Sequence, residues 1–294
     1  MTAVFMGREM AIKTEIEWVD SSVNLAMGCD GCELYSPLRQ EQGRQNYCYA
    51  FFLTRRYAGQ RGWPVSFDTP ALFTERIETV RKWADLTGEI RIGKPWMNGL
   101  PRHIFHGDMG DYFTESLPED WLLPHIDALA AMPHVHVFLT KRPLRMAQVF
   151  RLYGGVPRNF KLGVSVTNRT SLRRAAELVG GVGKMTGRIF LSVEPLIESV
   201  CGDSPFSLDR VLRLETLQSS KFQVIVGGES GPNARPFDIA WAEEIKSICD
   251  NNDVAFFMKQ VGSNPQYNGK KYLVGGKGSL LIDFPRHLRV RQMR

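Results

Sequence analysis

Short apolar runs recur along the chain, each followed by a turn and most by a stretch with helical spacing. The runs are almost continuously apolar, the pattern expected of parallel strands buried on both faces. Six of them predict strands at 103–106, 135–140, 160–166, 188–193, 222–226 and 254–258, after a weaker one at 24–28.

Helical patterns lie between these strands. They predict helices over 47–57, 119–132 and 239–250, one that begins at Pro143, and one that is capped by Asn168 or Thr170. Alternating strands and helices imply right-handed βαβ units and a parallel sheet. No G-x-G-x-x-G motif follows the first strand, so the usual sign of a dinucleotide-binding sheet is missing.

We therefore predict an α/β fold over residues 1–262, a full or partial parallel (β/α) barrel of about six to seven strands. Residues 263–294 are rich in Gly, Lys and Arg and predict a C-terminal extension with a hairpin near 271–282. The 294 residues suit one barrel plus an extension better than two cores, because such a barrel uses about 200–250 residues.

The hydrophobicity, cysteine number and net charge of the chain limit the classes of protein to which it could belong. There is no apolar run long enough to span a membrane, so we expect no membrane partner. The five cysteines are an odd number, which argues against a disulfide framework and predicts a reducing, cytoplasmic location. A net charge of +6, from 37 basic and 31 acidic residues, permits a phosphate-bearing substrate without requiring one.

Polar residues follow nearly every predicted strand. In parallel barrels the active site lies at the carboxyl ends of the strands, so these positions predict a functional site. They are Gly107–Asp111, Thr140–Arg142, Ser165, Glu194, Gly228–Ser230 and Lys259–Gln260.

Three cysteines are grouped as Cys29-x2-Cys32-x15-Cys48, while Cys201 and Cys249 lie far along the chain. An iron–sulfur cluster held by three thiolates keeps one iron open for a further ligand. Structural zinc would require a fourth, distant ligand, and a redox pair would use Cys29 and Cys32 alone. All three interpretations remain open on spacing alone.

The chain from Ile16 to Gly262 resembles a phage- and bacteria-encoded family of proteins of the radical S-adenosylmethionine (radical SAM) superfamily, the three-cysteine-motif phage proteins. The resemblance covers most of the chain, in the family's order. Its segments are IEWVDSSVNLAMGC, CYA, HIFHGDMGDYF, FLTKRP, LGVSVTNRTSLRRA, RIFLSVEPLIE, VIVGGESGPNARPFD and FFMKQVG. The cysteine spacing differs from the C-x3-C-x2-C that is usual in radical SAM enzymes.

The resemblance implies a [4Fe–4S] cluster and S-adenosylmethionine as cofactors, with Cys29, Cys32 and Cys48 as the metal ligands. It implies that Tyr47 packs near the adenine of S-adenosylmethionine. The positions expected to bind its amino group are Gly107, Asp108 and Met109, and those expected to meet its ribose are Ser165 and Asn168.

At later strand ends, the resemblance implies contacts to substrate or adenine from Glu194, Gly228, Glu229 and Ser230. Lys141 and Arg142 are expected to bind a carboxylate or a substrate phosphate. We take Lys141, Glu194 and Glu229 as the candidate catalytic residues.

The resulting hypothesis is a radical enzyme that takes electrons from an external one-electron donor and acts on a nucleobase, nucleotide or nucleic acid. Aromatic residues near arginines favour such a substrate, as with Tyr57 beside Arg55 and Arg56, and so does the phage occurrence of the resembling family. The alternative is a non-catalytic iron–sulfur or zinc protein that binds nucleic acid or a protein partner.

Overall fold

The structure of the chain, a computed structural model, describes residues 10–43, 45–202, 207–213 and 222–294. They form two compact units, one that ends at Phe160 and one from Lys161 to Arg294. The first nine residues lie outside the described part, and the predicted division into 1–262 and 263–294 remains a prediction.

The first unit contains six strands and five helices among its described residues. The strands are β1 Met10–Ala11, β2 Ser21–Val23, β3 Ala26–Met27, β4 Ala71–Leu72, β5 His103–His106 and β6 Val135–Thr140. The helices are α1 Pro37–Glu41, α2 Tyr49–Tyr57, α3 Arg76–Arg81, α4 Glu119–Ala130 and α5 Pro143–Tyr153.

The sheet of the first unit has β2, β5 and β6 in parallel, with β1 antiparallel at the edge of β2. Local sequence sets where its helices begin and end. Glu119 and Asp120 lie in the first turn of α4, where acidic side chains favour the helix dipole. Pro143 occupies the first turn of α5, and Gly154 ends it with a φ of 94°.

A buried pair of histidines lies where β5 and β6 pair. Nε2 of His106 and Nδ1 of His136 are 2.9 Å apart, and the ring of Phe138 stacks on that of His106 at 4.7 Å. Burial, together with the charge of His134, lowers the pKa of His106 to about 3. Burial likewise lowers the pKa of His136 well below its ordinary value. Both rings are therefore neutral in the folded protein.

The second unit contains seven strands and three helices among its described residues. The strands are β7 Phe160–Ser165, β8 Ile189–Val193, β9 Gln223–Gly227, β10 Phe237–Asp238, β11 Ala255–Gln260, β12 Pro265–Tyr267 and β13 Lys270–Lys271. The helices are α6 Arg173–Val182, α7 Leu208–Leu212 and α8 Ile239–Asn251.

In this unit β7, β8, β9 and β11 are parallel neighbours in that order. A small second sheet joins β10, β12 and β13. Gly163 in β7 is required by packing, because a Cβ there would lie 2.4 Å from the ring of Phe190. Asp238 caps α8 through a hydrogen bond from the amide of Ala240.

The final residues of the chain pack along β11. The amide of Met258 donates to the carbonyl of Val290, and Arg291 forms a bridge with Phe257. The Arg291 guanidinium donates to the carbonyls of Met258, Lys259 and Ser279. The tail arginine is therefore engaged with main-chain oxygens.

The predicted fold class is confirmed. The described strands include three parallel strands in the first unit and four in the second, and helices alternate with them, as an α/β protein of the parallel (β/α) barrel type requires. No helix in the described ranges is both long and apolar enough to cross a membrane.

Two predicted elements were misplaced. The weak strand at 24–28 is two short strands on either side of Asn24, whose side chain bonds Asp108 and Met109 instead of continuing a strand. The hairpin predicted near 271–282 lies earlier, where β12 pairs with β13. The pairing of β12 with β10 fixes the position of this hairpin, and the local sequence of the hairpin does not reveal that pairing.

The buried histidine pair predicts acid sensitivity. The folded-state pKa values lie below the ordinary 6.5, so the unfolded chain gains protons first. The free energy of unfolding should therefore fall as the pH drops from about 7 to 5, by up to about 1.4 kcal/mol per pH unit for each histidine. Urea unfolding at both pH values measures this.

The test variant is His106→Gln. It should flatten the pH dependence, because it removes one of the two buried imidazoles. An equally steep pH dependence in His106→Gln would contradict the assignment.

Candidate functional site

The cysteine loop of the first unit is fixed by a close contact between two glycines. Gly28, with a φ of 110°, forms a bridge with Gly110, and its amide donates to the carbonyl of Met109. A Cβ on Gly110 would lie 2.5 Å from the carbonyl oxygen of Gly28. The loop that carries Cys29 therefore lies directly on the segment after β5.

Beneath the loop is a buried apolar cluster. The ring of Tyr35 lies 4.7 Å from that of Phe51 and 5.0 Å from that of Phe67. The other buried members are Met27, Cys29, Ala50 and Met109, with Cys48 packed partly against them. Met109, predicted to bind a cofactor, thus places its side chain in this apolar layer.

Main-chain amides point at the cysteine sulfurs. The amide of Gly31 lies 3.5 Å from Sγ of Cys29, and that of Leu34 lies 3.4 Å from Sγ of Cys32. Cys48 stands at the N-terminal end of α2. Such N–H···S contacts are typical of sulfurs that bind metal, where they stabilise negative charge.

The three thiols share one electrostatic environment. Burial, and next the charge of Asp111, raises the pKa of Cys29 to about 11, while Arg142 opposes this rise. Burial also raises the pKa of Cys48, against the effect of nearby amides. A negative charge on Cys32 raises the pKa of Cys29 and the pKa of Cys48. The three thiols are therefore electrostatically coupled.

Arg142 connects the cysteine loop to the ends of the strands. Its guanidinium lies 3.6 Å from Sγ of Cys29 through both terminal nitrogens. It also donates to the carbonyl of Gly31 at 2.8 Å and to Asp111 at 2.9 Å. The side chain expected to bind a carboxylate or phosphate is thus directed at a cysteine sulfur.

Asp111 orients that arginine. Its carboxylate accepts hydrogen bonds from Thr140 Oγ1 at 2.7 Å and from the amides of Phe113 and Lys141, both at 3.0 Å. With Arg142 that makes four donors on one buried carboxylate. Lys141 is close enough for its charge to lower the pKa of Cys48, so this predicted residue also belongs to the site.

Asn24 holds the predicted cofactor segment Gly107–Met109. Its side chain donates to the carboxylate of Asp108 and accepts from the amide of Met109 at 2.9 Å. The hydroxyl of Tyr49 donates to the carbonyl of Asp108. The structure therefore brings Gly107–Met109 together with the cysteine loop, and Tyr47, 36% exposed, precedes Cys48.

The donor set suits a soft metal or an iron–sulfur cluster, because it consists of three thiols with N–H donors around them. The described residues contain no group of three or more His, Cys, Asp or Glu side chains arranged to hold a metal ion. The three thiols are therefore of the type that holds an iron–sulfur cluster. To bind one, their sulfurs would have to move closer together and lose their protons.

The remaining predicted residues belong to the second unit, at the carboxyl ends of its strands. Glu194, after β8, accepts from Lys259 Nζ at 2.7 Å and from Ser192 Oγ at 3.2 Å. Ser165 Oγ donates to the carbonyl of Glu194 at 3.1 Å. Gly227 leaves space for this group, since a Cβ there would lie 2.5 Å from the Glu194 carboxylate.

The segment Gly228–Ser230 is fixed by its own loop. The Glu229 carboxylate accepts from Arg235 through Nε at 2.8 Å and a terminal nitrogen at 2.7 Å. The carbonyl of Gly228 accepts from Gln260, and Ser230 is exposed. Asn168 accepts from the amide of Ser171, so it caps the turn before α6. Glu229 and Asn168 thus have structural partners.

Comparison with known proteins gives a family. A family model described as "Protein of unknown function (DUF5131)" matches residues 13–281, most of the chain. The chain belongs to the DUF5131 family. It matches no curated protein and no solved structure.

Two functional features of this DUF5131 protein were not expected from sequence. Asn24 was part of a predicted strand, although an Asn inside an apolar run is a signal that its amide has a specific partner. The contact of Arg142 with Cys29 has no local signal, because the residues are 113 positions apart.

The glycine contact in this DUF5131 protein gives a direct test. Gly110→Ala should lower the free energy of unfolding by about 1–3 kcal/mol, because the new methyl group overlaps the carbonyl of Gly28. Gly93→Ala is the control, since a Cβ there meets nothing within 4 Å. Equal stability of the two variants in urea unfolding would show that the contact does not constrain the loop.

Proposed function

We propose that the protein is a radical S-adenosylmethionine enzyme in which Cys29, Cys32 and Cys48 hold a [4Fe–4S] cluster. The chemistry that such a cluster would supply is the one-electron reductive cleavage of a carbon–sulfur bond of S-adenosylmethionine, with methionine and a 5′-deoxyadenosyl radical as products. An external one-electron donor supplies that electron.

The observation that carries this proposal is the arrangement of donors around the three thiols. Main-chain amides point at Cys29 and Cys32, and the Arg142 guanidinium lies against Cys29. A redox dithiol needs a lowered thiol pKa. Burial raises the pKa of Cys29 to about 11, which argues against a reactive redox thiolate at this position.

The neighbouring residues have roles that follow from their chemistry. Gly107–Met109, held by Asn24, would receive the amino group of S-adenosylmethionine through its carbonyls and the Asp108 carboxylate. Lys141 would meet its carboxylate, and Tyr47 would cover its adenine.

In the second unit, Ser165 and Asn168 remain the candidates for the ribose, and Gly228 and Ser230 for contacts to substrate or adenine. Glu194, paired with Lys259, is a candidate to bind or protonate substrate. Glu229 would first have to release Arg235, so its catalytic assignment requires a movement of that loop.

The proposed substrate is a nucleobase, nucleotide or nucleic acid, and the proposed location is the cytoplasm. All five cysteines are free thiols, which supports a reducing compartment. Arginines beside aromatic rings, such as Arg56 over Tyr57, support a substrate that combines phosphate with an aromatic base.

The decisive experiment is anaerobic reconstitution with iron and sulfide, followed by dithionite reduction with S-adenosylmethionine. We expect about four irons per chain and 5′-deoxyadenosine on chromatography. Cys29→Ala, Cys32→Ala and Cys48→Ala should each abolish the cluster, while Cys201→Ala and Cys249→Ala should retain it. Bound zinc, or intact S-adenosylmethionine beside an assembled cluster, would favour the non-catalytic metal protein, and no bound metal would contradict both accounts.

A second expectation concerns Arg142. A cationic donor on a ligand sulfur stabilises the reduced, more negative cluster. Arg142→Gln should therefore shift the cluster midpoint potential to more negative values in a redox titration followed by electron paramagnetic resonance. Arg151→Gln, at an exposed position of α5, should leave it unchanged. The same potential in both variants would exclude a role for Arg142 at the sulfur.

A further inference from the structure

The segment that follows the cysteine loop has an unusual composition. Residues 42–67 contain no Asp or Glu, four arginines and seven aromatic residues. Helix α2 lies within this segment and begins directly after Cys48. A basic segment rich in aromatics next to the candidate metal site is a place where an anionic, aromatic partner could bind.

Helix α2 has aromatic side chains on both of its faces. Ala50, Phe51 and Thr54 are buried on the side of the apolar cluster. Tyr49 is 58% exposed and Phe52 is 48% exposed, and Arg56 follows them at helical spacing on the same side. The ring of Phe52 lies 5.3 Å from that of the buried Phe51, and its exposed part is available to a partner.

The arginines of this surface have no acidic partners. Within the described ranges, Arg55, Arg56 and Arg61 are exposed and form no salt bridge. Two exposed arginines elsewhere are paired, Arg81 with Glu78 and Arg213 with Asp209. The charges of the α2 surface are thus uncompensated.

Two further rings extend the surface. Arg56 lies 5.5 Å from the ring centre of Tyr57. The ring of Tyr57 lies 4.9 Å from that of Trp63, and both residues are half-buried. These neighbouring rings, beside guanidinium groups without ion-pair partners, present aromatic surface and positive charge together.

We propose that this surface, formed by Tyr49, Phe52, Arg55, Arg56 and Arg61, binds single-stranded nucleic acid. Unpaired bases stack on exposed aromatic side chains, and arginines neutralise the phosphates between them. A duplex would offer its phosphates and keep its bases stacked on each other. Because the surface adjoins Cys48, the inference names the substrate class of the proposed radical enzyme and rests on that proposal.

The experiment is fluorescence anisotropy of the full chain with a labelled oligothymidylate of about ten nucleotides. The chain should bind it more tightly than a duplex of the same length. Phe52→Ala should weaken binding about five-fold or more through lost stacking. The double variant Arg55→Gln/Arg56→Gln should weaken binding and reduce the slope of log affinity against log salt by about 1.4.

The matched control is Arg151→Gln/Leu152→Ala, which removes an arginine and an exposed apolar residue from the end of α5. It should bind as the parent chain does. Absence of oligothymidylate binding, equal affinity for duplex, or undiminished binding in the α2 variants would overturn the inference. So would equally effective competition by a polyglutamate peptide, which carries charge without bases.

Binding is measured before and after reconstitution with iron and sulfide. Failure of the chain to assemble a cluster, with oligothymidylate binding intact, would remove the radical enzyme and leave the nucleic-acid surface. Cluster assembly with 5′-deoxyadenosine formation, but without oligothymidylate binding, would support the radical enzyme and remove the nucleic-acid surface. Phe52 and both substituted arginines are exposed, so these variants should fold, and far-ultraviolet circular dichroism checks that they do.

Discussion

A guanidinium removed from water must find compensating acceptors, because an unpaired buried charge costs several kcal/mol. Arg142 meets this requirement with the Asp111 carboxylate, the carbonyl of Gly31 and the sulfur of Cys29. Asp111 is in turn held by Thr140 and main-chain amides at the end of β6. The position of the cysteine loop is therefore coupled to the sheet through one ion pair.

Two further contacts hold the cysteine loop and the segment after β5, in addition to the ion pair of Arg142. A Cβ on Gly110 would overlap the main chain of Gly28, and one on Gly28 would overlap that of Phe67 and Pro70. Asn24 donates to the carboxylate of Asp108 and accepts from the amide of Met109, which ties the segment after β5 to the end of β2. Together with Arg142, these contacts preorganise the region that a cofactor would enter.

Periodicity predicted the fold well where burial on both faces produces a continuous apolar run. The strands at 103–106 and 135–140 lie where predicted, and Pro143 begins its helix as expected. Partners distant in sequence could not be predicted. The cysteine loop and the segment after β5 were predicted to lie at the same end of the strands, and Gly28 and Gly110 do form a bridge. The Arg142–Cys29 contact and the β10–β12 pairing depend on tertiary structure.

The raised thiol pKa of Cys29 and the lowered imidazole pKa of His106 have a common cause, which is burial in the first unit. A metal must displace the protons of the thiols, so its uptake is favoured as pH rises. Protonation of the unfolded histidines destabilises the fold as pH falls. Both effects would favour the folded, cluster-bound form that we propose at neutral to mildly alkaline pH. The charge of Arg142 lowers the pKa of Cys29 and so offsets part of the effect of Asp111.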